Sequence, residues 1–138
     1  MGNLLKHFER TKRPAAFWTL MGPLFASVAV RRELLTLHDN PESDEWFVQT
    51  DKHRHVAWFA CLRIHDDSAE LCHYWVNPDE RQKGVSDKIT DVLLARAKDL
   101  GVKRAIVVAG PELCPGLKKR VFAAGTIRGK FIRMEADL

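Results

Sequence analysis

Residues 76–89 read VNPDERQKGVSDKI. The fold depends on whether the middle of that stretch is a plain polar helix start or a loop that holds an anion. An apolar run, AELCHYWV (69–76), leads into it and reads as a strand. Pro78 lacks an N–H and would end a strand ladder. From Ser86 onward, Ile89, Val92, Leu93, Ala97 and Leu100 follow helical spacing, and Gly101 suits a helix end. A strand therefore gives way to a helix across RQKGVS. The amides of a first helical turn have no partner within the helix. Gly84 lets the chain turn tightly, so those amides can converge on one anion, and the helix dipole adds to the attraction. Arg81 and Lys83 supply positive charge beside it. The spacing matches neither a Walker loop nor GxGxxG.

Working outward, RAIVVA (104–109) is a short buried strand, and a strand-helix-strand crossover makes it a parallel neighbour of 69–76. Upstream, WFVQT (46–50) and HVAWFACLRI (55–64) are strand-like runs at short spacing, which predicts an antiparallel meander. With a turn centred on Asp66-Asp67, Arg63 lies opposite Glu70 and Cys61 opposite Cys72. One face then carries Trp58, Ala60, Leu62, Leu71, His73 and Trp75, and the other Phe59, Cys61, Cys72 and Tyr74. Both faces are apolar, so these strands belong inside a sheet covered on both sides.

The flanks are simpler. PAAFWTLMGPLFASVAV (14–30) is short for a membrane span and interrupted by Gly22-Pro23. It predicts two short helices meeting there, with Pro23 in the first turn of the second. HDNPESDE (38–45) reads as a loop. Pro115 opens a further helix, PGLKKRVFAA, closed by Gly125, and TIRGKFIRMEADL reads as one or two short strands. The expectation is a single α+β domain over 1–138 with a mixed sheet. It comprises a helical N-terminal part (1–45), the central sheet and ligand-binding helix (46–110), and a C-terminal helix with strands (111–138).

A chain of 138 residues can bury one real core. Its net charge of +4 mildly favours anionic ligands, but the basic residues are spread rather than gathered in an arm. Cys61, Cys72 and Cys114 fit neither a disulfide framework nor a zinc ribbon. A reducing cytoplasm is expected, without metal or membrane.

VNPDERQKGVS resembles the acetyl-CoA-binding signature of the GCN5-related N-acetyltransferase (GNAT) superfamily: a strand ending in Val, then Pro, then Arg/Gln-x-x-Gly-x-Gly/Ala opening a helix. Here the signature falls on Arg81, Gly84 and Ser86. Ser86 departs from Gly or Ala but stays small and caps helices well. The segment LLARAKDLGVKRAIVVA, Gly125, and the spacing of Phe131, Met134 and Leu138 extend the resemblance over roughly 55–138. It implies a GNAT-like mixed sheet with a truncated C-terminal hairpin, and acetyl-CoA as co-substrate. The backbone of Gln82, Lys83, Gly84, Val85 and Ser86 would hold the pyrophosphate, and Val76 would pair with the pantetheine arm.

Acetyl transfer to an amine needs a base, a polarising donor and an acid for the thiolate. By resemblance the base is Glu70, eleven residues before Arg81, unless Arg63 pairs with it across the hairpin. His73 and Tyr74 are alternative bases. The family's helix tyrosine, four residues before the glycine, is replaced by Val121, and its asparagine by Cys114, a candidate acid or nucleophile. Glu112, just past RAIVVA, is a further candidate on the acceptor side. The acceptor amine stays open among small molecule, protein and nucleic acid. The short final hairpin suggests an open cleft that suits a macromolecule, or one completed by a partner subunit in a homodimer. A non-catalytic binding or regulatory module of the same fold, or a member directed to nucleic acid, are the alternative readings.

Overall fold

The hairpin register expected from the sequence holds only as far as Cys61 and Cys72, and where it fails the site begins. The computed structural model describes residues 4–138; the expected N-terminal part, 1–45, begins with three residues outside them. Among these residues seven strands form one sheet: β1 (Leu5–Phe8), β2 (Asp44–Thr50), β3 (Val56–His65), β4 (Ser68–Val76), β5 (Arg104–Ala109), β6 (Ala123–Arg128) and β7 (Phe131–Asp137). The order is β1-β2-β3-β4-β5-β7-β6, with β4 and β5 parallel and every other neighbouring pair antiparallel. The helices are α1 (Ala15–Ala26), α2 (Val28–Glu33), α3 (Val85–Asp99) and α4 (Cys114–Lys119). The mixed sheet and the strand-helix-strand unit β4–α3–β5 are as expected.

Two cores follow from the alternation of side chains along the strands. One contains Leu62, Leu71, Ile89, Leu93, Val107, Leu117 and Met134, so it lies between the sheet and α3 and α4. The other holds Phe17, Met21, Val30, Trp46, Phe59 and Cys61, between the sheet and α1 and α2. In β3–β4, Arg63 does face Glu70 and Cys61 faces Cys72, but Phe59 then faces Trp75. Ala60 is thus opposed by two residues, His73 and Tyr74: a β-bulge, with His73 in the left-handed region at φ 55°. The bulge exchanges the faces beyond it. Tyr74 joins the α3 side, while Trp75 and His73 join the α1/α2 side, the reverse of the simple alternation.

Other boundaries differ too. The N-terminal part is not wholly helical, because Leu5–Phe8 adds an edge strand to β2. Pro23 sits inside α1, and the break comes at Ser27, whose hydroxyl accepts from the Val30 N–H at 3.3 Å to cap α2. Asp44 and Glu45, read as loop, begin β2 and are fully buried. The last helix ends at Lys119 rather than running to Gly125, because Val121 takes φ 67° and β6 starts at Ala123. The final hairpin turns at Gly129-Lys130, between strands of six and seven residues. Among the described residues no helix is long and apolar enough to cross a membrane.

Candidate active site

Strands β4 and β5 pair at three positions only, Ser68–Arg104, Ala69–Ala105 and Glu70–Ile106. β4 runs six residues further and β5 three, without pairing, so the sheet splits. β5 stays paired with β7 along its whole length, which holds that lip of the split rigid. A cavity of about 670 Å³ fills the opening. Its walls include Cys72 to Val76 on one side, Val107, Val108 and Gly110 on the other, and Gln82 and Gly84 to Asp87 at one end.

That end is the loop quoted at the start. Asn77 Oδ1 accepts from the Asp79 N–H at 3.0 Å and starts a short 3-10 turn, Pro78–Glu80, which ends the strand. Gln82 (φ 65°) and Gly84 (φ 73°) both take left-handed conformations, and α3 begins at Val85. The bond from the Lys88 N–H to the Gly84 oxygen, 3.5 Å, opens the helix. The amides before it, from Gln82 to Asp87, have no acceptor within α3, and all of these residues but Lys83 edge the cavity. A Cβ added at Gly84 would meet open space, so the glycine is required by its φ rather than by crowding.

Arg81 does not stand free beside these amides. Its Nε donates to the Val76 oxygen at 2.8 Å, and its terminal nitrogens lie 2.7 and 2.9 Å from the two Glu33 oxygens. It fastens the end of β4 to α2. The Arg81 hydrogen bond holds the Glu33 carboxyl below the usual range, and Glu33 also accepts from Trp75 Nε1 at 3.3 Å. Lys83 pairs with Glu80 at 3.5 Å. Beside the cavity Arg120 ties the end of α4 to α3, donating to Asp91 at 2.6 and 3.0 Å and to the Gly116 oxygen at 2.9 Å. Its hydrogen bond lowers the Asp91 pKa.

The expected catalytic residues separate. Glu70 is the last paired residue before the split and does not line the cavity. Arg63, its cross-strand neighbour, is engaged by Asp44 at 2.8 and 3.0 Å, so the anticipated pairing with Glu70 does not form. His73 lines the cavity at the bulge. Its ring stacks on Trp46 (5.9 Å between centroids) and meets His38 edge-on. Burial, with Arg63 and His38 nearby, lowers its pKa to about 4, and its buried Nε2 has no hydrogen-bond partner. Tyr74 shares a hydrogen bond with Thr90 Oγ1 at 2.9 Å, and burial raises its pKa, so the phenol stays protonated and suits a donor better than a base. Cys114 is buried, its thiol 3.4 Å from the Gly110 oxygen. Val121 lies outside any helix and is 83% exposed. Cys61, Cys72 and Cys114 are all free thiols. No group of residues among those described could hold a metal ion.

A sheet split next to a left-handed loop and a helix N-terminus agrees with what the sequence profiles find. The acetyltransferase (GNAT) family matches residues 13–112. The chain belongs to this family. Solved structures share the GNAT fold over nearly the whole chain. An acyl-CoA N-acyltransferase from Pseudomonas aeruginosa has a TM-score of 0.76 at 11% identity, covering 99% of both chains. A Bacillus subtilis acetyltransferase in complex with CoA has a TM-score of 0.67 at 16% identity, also covering 99% of both. Tetrahymena GCN5 has a TM-score of 0.69 at 14% identity, covering 96% of this chain and 94% of its own. No curated protein sequence matches the chain. At these identities the structures speak for the GNAT fold alone.

Sequence reasoning missed Glu33 and Thr90 as parts of the site, and Arg120 as the tie between α3 and α4 beside it. Each meets a partner 16 to 48 residues away in sequence. Only the tertiary packing makes these pairs.

Proposed function

We propose that this GNAT protein is an acyl-CoA-dependent N-acyltransferase, most simply an acetyltransferase, passing the acyl group directly to an amine in a ternary complex. The observation that carries the reading is the split between β4 and β5, with unbonded amides at one end and a continuous cavity leading from them. In this reading acetyl-CoA lies in the split as a co-substrate. Gln82, Lys83, Gly84, Val85 and Ser86 hold its pyrophosphate through their N–H groups. The pantetheine arm pairs with the unpaired end of β4, including Val76. Arg81 contributes position rather than charge, since Glu33 already neutralises it.

For the chemistry, His73 is the favoured proton acceptor. It lines the cavity, its Nε2 is free, and at neutral pH its ring is uncharged and can accept. Glu70 is the second candidate, reached through water from its place at the closed end of the split. The leaving thiolate takes its proton from solvent or from Tyr74. Three free thiols fit a protein working in the cytoplasm.

Calorimetry with acetyl-CoA, backed by its effect on thermal unfolding, tests the reading. Micromolar binding with a raised melting temperature is expected. A protein that neither binds nor is protected is no acyltransferase. With binding established, His73→Gln should lower turnover at least about tenfold with CoA affinity little changed, and Glu70→Gln less. The reverse order would make Glu70 the base, and two unaffected variants would leave a CoA-binding module.

A further inference from the structure

The α1/α2 side of the sheet is covered unevenly, and the cavity opens where the cover ends. Val108 and Phe131 both line it and are 53% and 46% exposed. Their strand neighbours Val107 and Ile132 pack against the α3/α4 core, so by alternation Val108 and Phe131 point to the opposite face. Leu34, from the segment after α2, stands across the opening. The rim therefore has an apolar wall that no helix covers, with only the Lys130 ammonium near the Phe131 ring, 5.5 Å from its centroid.

Glu112 stands at the same rim. Its carboxylate folds back over Gly110, so that a Cβ at Gly110 would lie 2.8 Å from both oxygens. No ion pair or hydrogen bond engages that carboxylate among the described residues. The contrast with Glu33 across the cavity is direct, because Glu33 is taken by Arg81 and Trp75. Of the two rim glutamates, Glu112 alone has its charge free for a ligand.

We infer that Glu112, Val108 and Phe131 form the acceptor subsite, and that the acceptor is a small primary amine borne on an apolar or aromatic group. This rests on the acyltransferase reading and specifies its second substrate. A primary amine is an ammonium at neutral pH, and its charge complements the free carboxylate. The group that carries the amine covers Val108 and Phe131, removing apolar surface from water. A cavity of about 670 Å³ has the size of a small-molecule site, and the CoA arm takes part of it, which leaves room for a compact acceptor rather than a peptide. Glu112 binds the amine here; proton removal belongs to the base at the other side of the split.

The test is thiol release from acetyl-CoA with three acceptors: 2-phenylethylamine, ethanolamine and a short peptide with N-terminal phenylalanine. Phenylethylamine should exceed both of the others about tenfold or more in kcat/KM. Glu112→Gln should raise its KM about tenfold, with kcat and acetyl-CoA affinity within about twofold. Inhibition by 2-phenylethanol, which has no charge, should be the same in both proteins. Gly110→Ala should act in the same direction, since its methyl group takes the space of the carboxylate. An unchanged KM in Glu112→Gln would overturn the subsite. So would equal use of ethanolamine, preference for the peptide, or acetyl-CoA binding with no turnover of phenylethylamine. Failure to bind acetyl-CoA at all would instead remove the acyltransferase reading beneath it.

Discussion

Strands β2 to β4 are covered by helices on both faces, whereas β5 and β7 are covered on one face and β6 on neither. The first group holds Trp46, Phe59 and Cys61 against α1 and α2 and Leu62 and Leu71 against α3. It also buries two acids, Asp44 and Glu45, each matched by arginine. In the second group every residue of β6 is exposed, and Val108, Ile127 and Phe131 show large apolar surfaces. The split between β4 and β5 lies at the border of the two. One half thus supplies a rigid frame and the other a lip with free surface, and a ligand-binding opening between them needs both.

Core truncation is the strongest way to break that comparison. Trp46 is fully buried, lies within 6 Å of the rings of Phe25, Phe59 and His73, and donates from Nε1 to Asp39 at 2.8 Å. Trp46→Ala should cost about 4 to 5 kcal/mol. Phe131→Ala, on the bare half, should cost under about 1 kcal/mol. Urea unfolding of the two variants measures both. Losses of similar size would mean that the bare half is as structural as the covered one.

Next in size is the buried acid. Glu45 is 1% exposed and meets His7 at 2.7 Å, Arg96 at 2.9 Å and Arg10 at 3.5 Å. Burial alone would raise its pKa, but the His7 and Arg96 hydrogen bonds outweigh that and bring it down to about 2. A carboxyl lowered in the folded state stabilises it above the unfolded pKa, and that contribution is lost as pH falls from about 4.5 toward 2. Glu45→Gln should therefore cost about 3 kcal/mol at pH 7, and its stability should fall less than the wild type's between those pH values. A parallel acid decline in both proteins would mean that Glu45 does not contribute through its charge.

How much of this was legible in the sequence depends on the kind of signal. The hairpin up to Cys61–Cys72, α3 with its glycine end, and the left-handed turn at Gly84 all announce themselves through local pattern or through glycine. The bulge does not. CHYW has no glycine or asparagine to mark it; histidine is only more tolerant of positive φ than most residues, and His73 adopts it because the tertiary packing over-determines the position. Asp44 and Glu45 looked like loop because acids are seldom buried. Their neutralising arginines are 19 and 51 residues downstream. The edge strand Leu5–Phe8 is mostly exposed and polar, and its own sequence says little; its pairing with β2 and the His7–Glu45 contact define it. In the site, the left-handed loop before α3 was readable while the position of Glu70 outside the cavity was not, because the end of the β4–β5 pairing leaves no local trace.

The smallest expected effect tests whether the bulge histidine is tuned by the frame around it. His73 has its pKa lowered from 6.5 to about 4, chiefly by burial, with the Arg63 and His38 charges adding and Asp44 opposing. Here the unfolded chain binds the proton more readily than the folded one. Stability is therefore full above pH 6.5 and declines as pH falls through 6.5 toward 4. At pH 5 the loss relative to pH 8 should be about 2 kcal/mol. Unfolding at the two pH values should show that difference in the wild type and most of it abolished in His73→Gln. The side chains that bury His73, Trp46 above all, come from the covered half of the sheet. A wild type whose stability is flat between pH 8 and 5 would show that the imidazole reaches solvent, and the covered half would then end short of the split rather than at it.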